Sequence, residues 1–408
     1  MRPKEALALL GLRPQLLAGD AERLRRCHSI EDLRRLAARR LPKAIFDFVD
    51  GAADDEVVLR RNREAFKQAI LTPRQLRGNG EPDLRARLLG TESSLPLAIG
   101  PCGQNRLLHP AGEPAIARAA ARAGIPYAVP SMGSATMEEI AAATSGPVWF
   151  QLYLWRDRAL GAELIRRAAA AGYGALVVTI DTPVSGSRTR DLANGLTIPP
   201  KLNWRGTVDA ALHPRWAGRF LAAEMPTFAN VARPGESTIS TMNYVGSQFD
   251  PDASWDSVGS LIGEWDGPVV IKGVLSAADA RRAVEIGADA VIVSNHGGRQ
   301  FGRAPATLEV LPEVVEEIGG EAEVFLDSGI TRGTDIAAAL ALGADACLIG
   351  RASLFGLAAG GEAGVSRALE LLAEDLRRSM ILLGVGCVDD FDRELVSLSS
   401  RRQKEAER

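Results

Sequence analysis

From Leu95 onward the chain alternates between two hydrophobic patterns. Short, nearly unbroken apolar runs end in polar residues or glycine, and each is followed by an Ala-rich stretch with helical spacing. The runs are Leu97–Pro101, Pro126–Val129, Val148–Leu152, Ala175–Ile180, Val269–Lys272, Ala290–Val293, Val324–Asp327 and Ala346–Ile349. Their lack of apolar/polar alternation marks strands covered on both faces, as in a parallel sheet. Helical spacing fills about 112–123, 136–143, 158–171, 255–264, 277–286, 308–318, 333–341 and 362–383. Glycine turns at Gly172–Gly174, Gly287–Asp289 and Gly343–Asp345 stop the helices before the fourth, sixth and eighth runs. Eight β–α units in alternation predict an α/β TIM (β/α)8 barrel; a doubly wound open sheet is the structural alternative.

The first part reads differently. Residues 1–90 predict an N-terminal helical segment capping the barrel. Ser29-Ile30-Glu31-Asp32 opens one helix, with Ser29 as N-cap. Pro42–Val49 forms a second and runs into Asp50-Gly51. The barrel is assigned to 91–390 and a charged tail to 391–408. A long insert over 185–255 breaks the rhythm after the fourth strand, where a barrel needs far fewer residues. It holds Trp204, His213, Trp216 and Phe220. Its amphipathic stretch Val208–Ala223 suits a lid, an oligomer contact or peripheral membrane docking.

Composition narrows the class. The 408 residues are 46% hydrophobic and 24% charged, with net charge −3. That is an ordinary globular profile without a basic block, so no nucleic acid is expected. Cys27, Cys102, Cys347 and Cys387 stand far apart, which argues against a disulfide frame or a zinc site and fits the cytoplasm. No apolar run approaches a membrane span. No cleavage site follows Ala6–Leu12, so a signal peptide is not expected. The expected location is cytoplasmic, peripheral to the inner membrane face if the insert docks there.

In a barrel, chemistry gathers where strands end. Ser294-Asn295-His296-Gly297-Gly298-Arg299-Gln300 leaves the sixth run, with a histidine and an arginine three positions apart. Histidine takes and returns a proton near neutral pH, and arginine is the best fork for a carboxylate. Lys272 at the fifth strand end would face a negative partner. Asp181 at the fourth would fix the tautomer of His296 if the two meet, and otherwise caps a turn. Asp327-Ser328-Gly329 and Gly350-Arg351 end the seventh and eighth runs, the usual barrel phosphate site. His109, in Leu108-His109-Pro110, precedes a helix and reads as packing or capping, while His28 and His213 lie outside the barrel rhythm and need no role. There is no Gly-x-Gly-x-x-Gly after an early strand, no nucleophile elbow and no metal-ligand cluster. A base, cations and a phosphate site without a metal suggest a phosphorylated organic cofactor.

At this point the sequence resembles the FMN-dependent α-hydroxy acid oxidase/dehydrogenase family, from about Ile30 to Gly384. The motifs are Leu41-Pro42-Lys43, Phe150-Gln151-Leu152-Tyr153, Thr179-Ile180-Asp181-Thr182-Pro183, Ser294–Gln300 and Ile349-Gly350-Arg351. Bacterial L-lactate dehydrogenases of the quinone or cytochrome type look nearest, through Arg188–Leu192, Ile198-Pro199-Pro200 and His213–Trp216. The resemblance implies FMN as cofactor and a small 2-hydroxy acid as substrate. It implies His296 as base with Asp181 as partner, Arg299 and Arg188 on the substrate carboxylate, and Tyr153 near the substrate oxygen. Lys272 then stands at the flavin N1/O2 edge and Gly103 beside N5, where glycine is commoner in dehydrogenases. Gln151, Thr179 and Ser294 match flavin hydrogen-bonding residues; Asp327, Gly329, Gly350 and Arg351 match its ribityl and phosphate end. A quinone, cytochrome or O2 as electron acceptor and a homotetramer are also implied.

Four positions depart from that pattern. Phe48 stands where a carboxylate-binding tyrosine is usual, Pro130 for a flavin-facing serine, Cys102 for a threonine and Thr331 for a common arginine. The expectation is therefore oxidation of an L-2-hydroxy acid, lactate-like or larger, in a changed pocket. The rivals are a non-redox flavin isomerase and a repurposed, non-catalytic flavin barrel.

Overall fold

Buried on both faces, the eight apolar runs become eight parallel strands that close on themselves. The computed structural model describes residues 19–78, 80–196, 204–223, 225–232 and 235–398. The strands are β1 (Leu97–Ile99), β2 (Tyr127–Pro130), β3 (Val148–Tyr153), β4 (Ala175–Thr179), β5 (Val269–Val274), β6 (Ala290–Val293), β7 (Glu323–Leu326) and β8 (Ala346–Ile349). Each pairs with the next, and β8 returns to β1 through Cys347–Leu97, Leu348–Ala98 and Ile349–Ile99. That last ladder separates a barrel from an open sheet, so the fold is a TIM barrel.

The interior is filled by alternating bulk. Trp149 and Phe325 stack with ring centroids 6.0 Å apart, among Ala98, Ala128, Ala175, Ala290 and Ala346. Leu88, from a hairpin of Ala86–Leu88 and Thr91–Ser93, joins the same cluster. The adjacent Leu89 N–H donates to the Glu323 carboxylate at the start of β7. The hairpin therefore plugs the amino-terminal mouth, and the strands' carboxyl ends stay available.

Helices α1 (Asp20–Arg25), α2 (Ile30–Arg40), α3 (Lys43–Asp50) and α4 (Val57–Gln68) precede the barrel. Ser29 Oγ accepts the Asp32 N–H at 3.1 Å, the expected cap. The barrel helices include α5 (Gly112–Arg122), α6 (Met137–Ala142) and α7 (Arg158–Ala170). The insert follows as α8 (Thr189–Asn194), α9 (Trp204–Ala211), α10 (Pro214–Ala222) and α11 (Thr238–Ser247). Then come α12 (Trp255–Ile262), α13 (Ala277–Glu285), α14 (Thr307–Ile318), α15 (Gly333–Ala341) and α16 (Arg351–Leu383).

Four expectations need correction. The stretch Val208–Ala223 is two helices, because Pro214 has no N–H to continue α9 but suits the first turn of α10. The last helix begins at Arg351, not 362, and only breaks at Gly360 and Gly361, which leave helical geometry. Residues 1–90 hold strands as well as helices. Residues 391–398 are not tail: Val396–Leu398 pairs with Ala69–Leu71, because Leu395 and Val396 are buried there. Ala6–Leu12, Ile198-Pro199-Pro200 and 399–408 lie outside the described residues. Among those described, no helix is long and apolar enough to cross a membrane, and no His/Cys/Asp/Glu group could hold a metal.

Candidate active site

The loop after β6 turns through three consecutive left-handed residues, His296 (φ 57°), Gly297 and Gly298. Gly298 is required by contact: a Cβ there would stand 2.8 Å from the Leu59 nitrogen of α4. Asn295 holds the turn from behind. Its side chain accepts the Gly298 N–H at 3.0 Å and exchanges two hydrogen bonds with Asn62 of α4. His296 is thus fixed in an unfavourable backbone conformation by packing around it. Its Nδ1 lies 3.0 Å from Asp181 Oδ1. An Nδ1–H donated to that carboxylate leaves Nε2 as the free, basic nitrogen. Burial pushes the Asp181 carboxyl up, but His296 and Lys272 outweigh it, and the net direction is below the usual range. The ring of Tyr153 stacks near His296, with centroids 6.4 Å apart. Burial pushes its phenol up to about 12, so Tyr153 is a proton donor at neutral pH.

Lys272, at the end of β5, is 4% exposed. Its ammonium donates to Ser294 Oγ at 2.9 Å and lies 3.4 Å from Asp327 Oδ2. Burial lowers its proton affinity, but Asp327 and Asp181 outweigh that, so the lysine stays charged. Gln151 Nε2 donates to Thr179 Oγ1 at 2.9 Å on the neighbouring strand. Gln151 Oε1, Asp181 Oδ2 and Ser131 Oγ are buried without a partner.

Arg299 donates Nη1 to the carbonyls of Phe48 (2.7 Å) and Gly51 (3.0 Å), with its guanidinium 5.3 Å over the Phe48 ring. Burial, then the charges of Arg188 and Arg351, push Arg299 down to about 9. An arginine does not give up its proton there; the direction measures a strain that a bound anion would relieve. Arg188 pairs with the buried Asp191 at 2.8 Å. Arg351 opens α16 and donates to the carbonyls of Val49, Gly297 and Gly51. That leaves two of its five N–H groups for another acceptor. Gly350 caps α16 beside Cys102, and Gly329 backs onto Phe66 and Asn62. Gly103 lies so close to the Met132 carbonyl that a Cβ there would collide with it.

The expected residues therefore converge: the charges that act on Cys102 are those of Arg299, Arg351, Lys272 and Asp327, and those on Tyr153 include Lys272, Asp181 and Arg188. Of the departures, Thr331 donates its N–H and its hydroxyl to the Asp335 carboxylate in the first turn of α15. Sequence reasoning missed Asp191 and Ser328. Asp191 lies three residues after Arg188, the spacing of a helical ion pair, and that signal was available. Ser328 was not legible. Its φ is 75°, and its hydroxyl accepts the Gly297 N–H at 2.9 Å and donates to Asp327 Oδ1 at 2.5 Å. It ties the Asp327 strand end to the histidine loop. Ser328→Ala keeps the left-handed strain, worth ~1–2 kcal/mol, while Ser328→Gly removes it. Both lose the hydroxyl. Denaturant unfolding is expected to find the alanine variant less stable than the glycine variant by about 1 kcal/mol, and flavin reduction slower in both.

Buried polar atoms without a partner, a charged buried lysine and a guanidinium with spare donors form a polar set that fits a flavin mononucleotide. Residues 37–398 match the family model described as FMN-dependent dehydrogenase. The chain is 41% identical over 362 residues to the (S)-mandelate dehydrogenase of Pseudomonas putida, covering 88% of this chain and 91% of that protein. It is 39% identical over 377 residues to an L-lactate dehydrogenase of a Caulobacter species, covering 91% and 99%. Among solved structures, the monotopic membrane protein (S)-mandelate dehydrogenase superposes with a TM-score of 0.88 at 39% identity, covering 92% of this chain and 100% of that one.

Proposed function

The chain belongs to the FMN-dependent dehydrogenase family, and from that premise we propose that it oxidises an L-2-hydroxy acid to the 2-oxo acid with His296 as the base. One observation carries the reading: the Nδ1 of the imidazole lies 3.0 Å from Asp181 Oδ1, which leaves Nε2 as the basic nitrogen, on the loop that also carries Arg299. A non-redox isomerase would need neither this pair nor two carboxylate arginines.

FMN, when bound, supplies the two-electron acceptor. Gln151, Thr179, Lys272, Ser294 and Gly103 would hold its ring end, and Asp327, Gly329, Gly350 and Arg351 its ribityl phosphate. Arg299 and Arg188 take the substrate carboxylate by forked hydrogen bonds. Asp191 keeps Arg188 in place. Tyr153 donates to the substrate oxygen, and His296 Nε2 receives a proton from the substrate. Asp181 stays ionised and stabilises the imidazolium. Lys272 keeps a fixed positive charge at one edge of the pocket, worth most where negative charge develops.

Electrons leave to a quinone or a cytochrome. Trp204, Leu212 and Leu221 of the insert are highly exposed, which supports contact with a membrane surface. A homotetramer belongs to the same reading, and sedimentation tests it. Dye-linked turnover of a panel from lactate to mandelate, with the 2-oxo acid quantified, tests the reaction. At least one acid is expected to give product, and none doing so would overturn the proposal. Phe48→Tyr is expected to lower KM for a small 2-hydroxy acid about tenfold or more, because a charged hydrogen bond is worth ~1.5–3 kcal/mol.

A further inference from the structure

We infer that the protein carries a second, anion-binding site, separate from the active site, which takes a phosphate group borne on an apolar or aromatic body. A cavity of about 250 Å³ lies where α1, the end of α2, the loop after β1 and α10 meet. Its walls carry Arg23, Arg39, Arg40, Arg106, Arg215 and Arg219. Among the described residues the lining contains one carboxylate, Asp20, which is 2.6 Å from Arg40, 3.9 Å from Arg23 and 4.0 Å from Arg215. Arg106 turns to Glu139. Arg39 and Arg219 have no carboxylate partner among the described residues. Six arginines thus line a cavity with one lining carboxylate, Arg106 being paired with Glu139 outside the lining, on a chain whose net charge is −3.

A concave site of one sign concentrates its field and draws the opposite charge. Burial and the surrounding arginines act together on two neighbours. Burial, then Arg219 and Arg40, push His109 down to about 4, so it is neutral. Burial, against Asp20, pulls the Arg40 guanidinium down, with Arg23 and Arg219 adding to it. Several guanidinium forks around one space suit a group with three or four oxygens and nearly two charges better than a single carboxylate.

The other wall is apolar. Trp216 and Phe220 of α10 stack at 4.8 Å, and Leu108 and the exposed Leu212 flank them. Trp216 Nε1 donates to the Leu107 carbonyl at 2.8 Å, so α10 is pinned and the cavity preformed. A phosphate with an apolar attachment fits both walls. A phosphomonoester lipid headgroup, as in phosphatidic acid, and a soluble phosphate monoester share that chemistry. None of the six arginines belongs to the residues proposed for FMN or substrate, so this inference stands or falls apart from the catalytic one.

The test is calorimetric titration of the holoenzyme with pyrophosphate at constant ionic strength. One saturable site is expected. Arg39→Gln and Arg219→Gln, which orphan no carboxylate, are each expected to weaken it about tenfold while flavin reduction by substrate is unchanged. Heat that does not saturate, that sodium chloride reproduces, or that both variants retain would overturn the proposal. Vesicles containing phosphatidic acid, whose phosphate is a monoester, then separate the sources. Binding to them that pyrophosphate displaces identifies a lipid headgroup, and pyrophosphate binding that vesicles leave untouched identifies a soluble ester.

Discussion

Replacing His296 with glutamine is expected to slow flavin reduction by the 2-hydroxy acid about 10²–10⁴-fold, the contribution of a positioned general base, while FMN stays bound. Glutamine is the informative choice. Asp181 is buried with Oδ2 already unpartnered, and the amide can still donate to Oδ1, so the carboxylate is not left wholly bare. The amide has no basic nitrogen to take a proton. Rapid mixing under anaerobic conditions separates this rate from reoxidation. An unchanged reduction rate with intact flavin absorbance would remove His296 from the proton transfer.

Arg299→Met is the second large effect, and it acts on binding as well as on the fold. A buried charge pair truncated on one side loses ~2–5 kcal/mol. Taken to kcat/KM, that is a fall of about 30- to 5000-fold. The same change strips the Phe48 carbonyl of its Arg299 donor, at ~1–3 kcal/mol of stability if it stays buried, while the Gly51 carbonyl keeps Arg351. Arg299→Lys separates the two contributions. It restores charge but not the fork, so KM is expected to recover only partly. A methionine variant with unchanged KM for every 2-hydroxy acid would place the carboxylate elsewhere.

Much of this site is legible in the sequence because it is local in the chain. His296 and Arg299 share one loop, and each strand end carries its own polar residue. The barrel is legible for the same reason: eight apolar runs without alternation can be covered on both faces only by helices. What escapes a sequence reading depends on contacts between distant residues. The Val396–Leu398 strand exists because Ala69–Leu71 offers it an edge, and nothing within 391–408 announces that. Ser328 in a left-handed turn is intelligible only once the Gly297 N–H lies 2.9 Å from its hydroxyl. The break at Gly360 and Gly361 hides inside a helix that begins earlier than its hydrophobic rhythm suggests. The arginine cavity draws on α1, α2, a barrel loop and α10, so the Arg-rich start of the chain does not by itself locate it.

Passage of two electrons from a 2-hydroxy acid to FMN bound in this pocket is the step on which every assigned role depends. The most direct measurement is anaerobic mixing of the purified holoenzyme with 2-hydroxy acids from lactate to mandelate, following the flavin absorbance. At least one acid is expected to bleach the flavin completely and to yield one equivalent of its 2-oxo acid. A protein that holds FMN but is bleached by none of them would contradict the assignment.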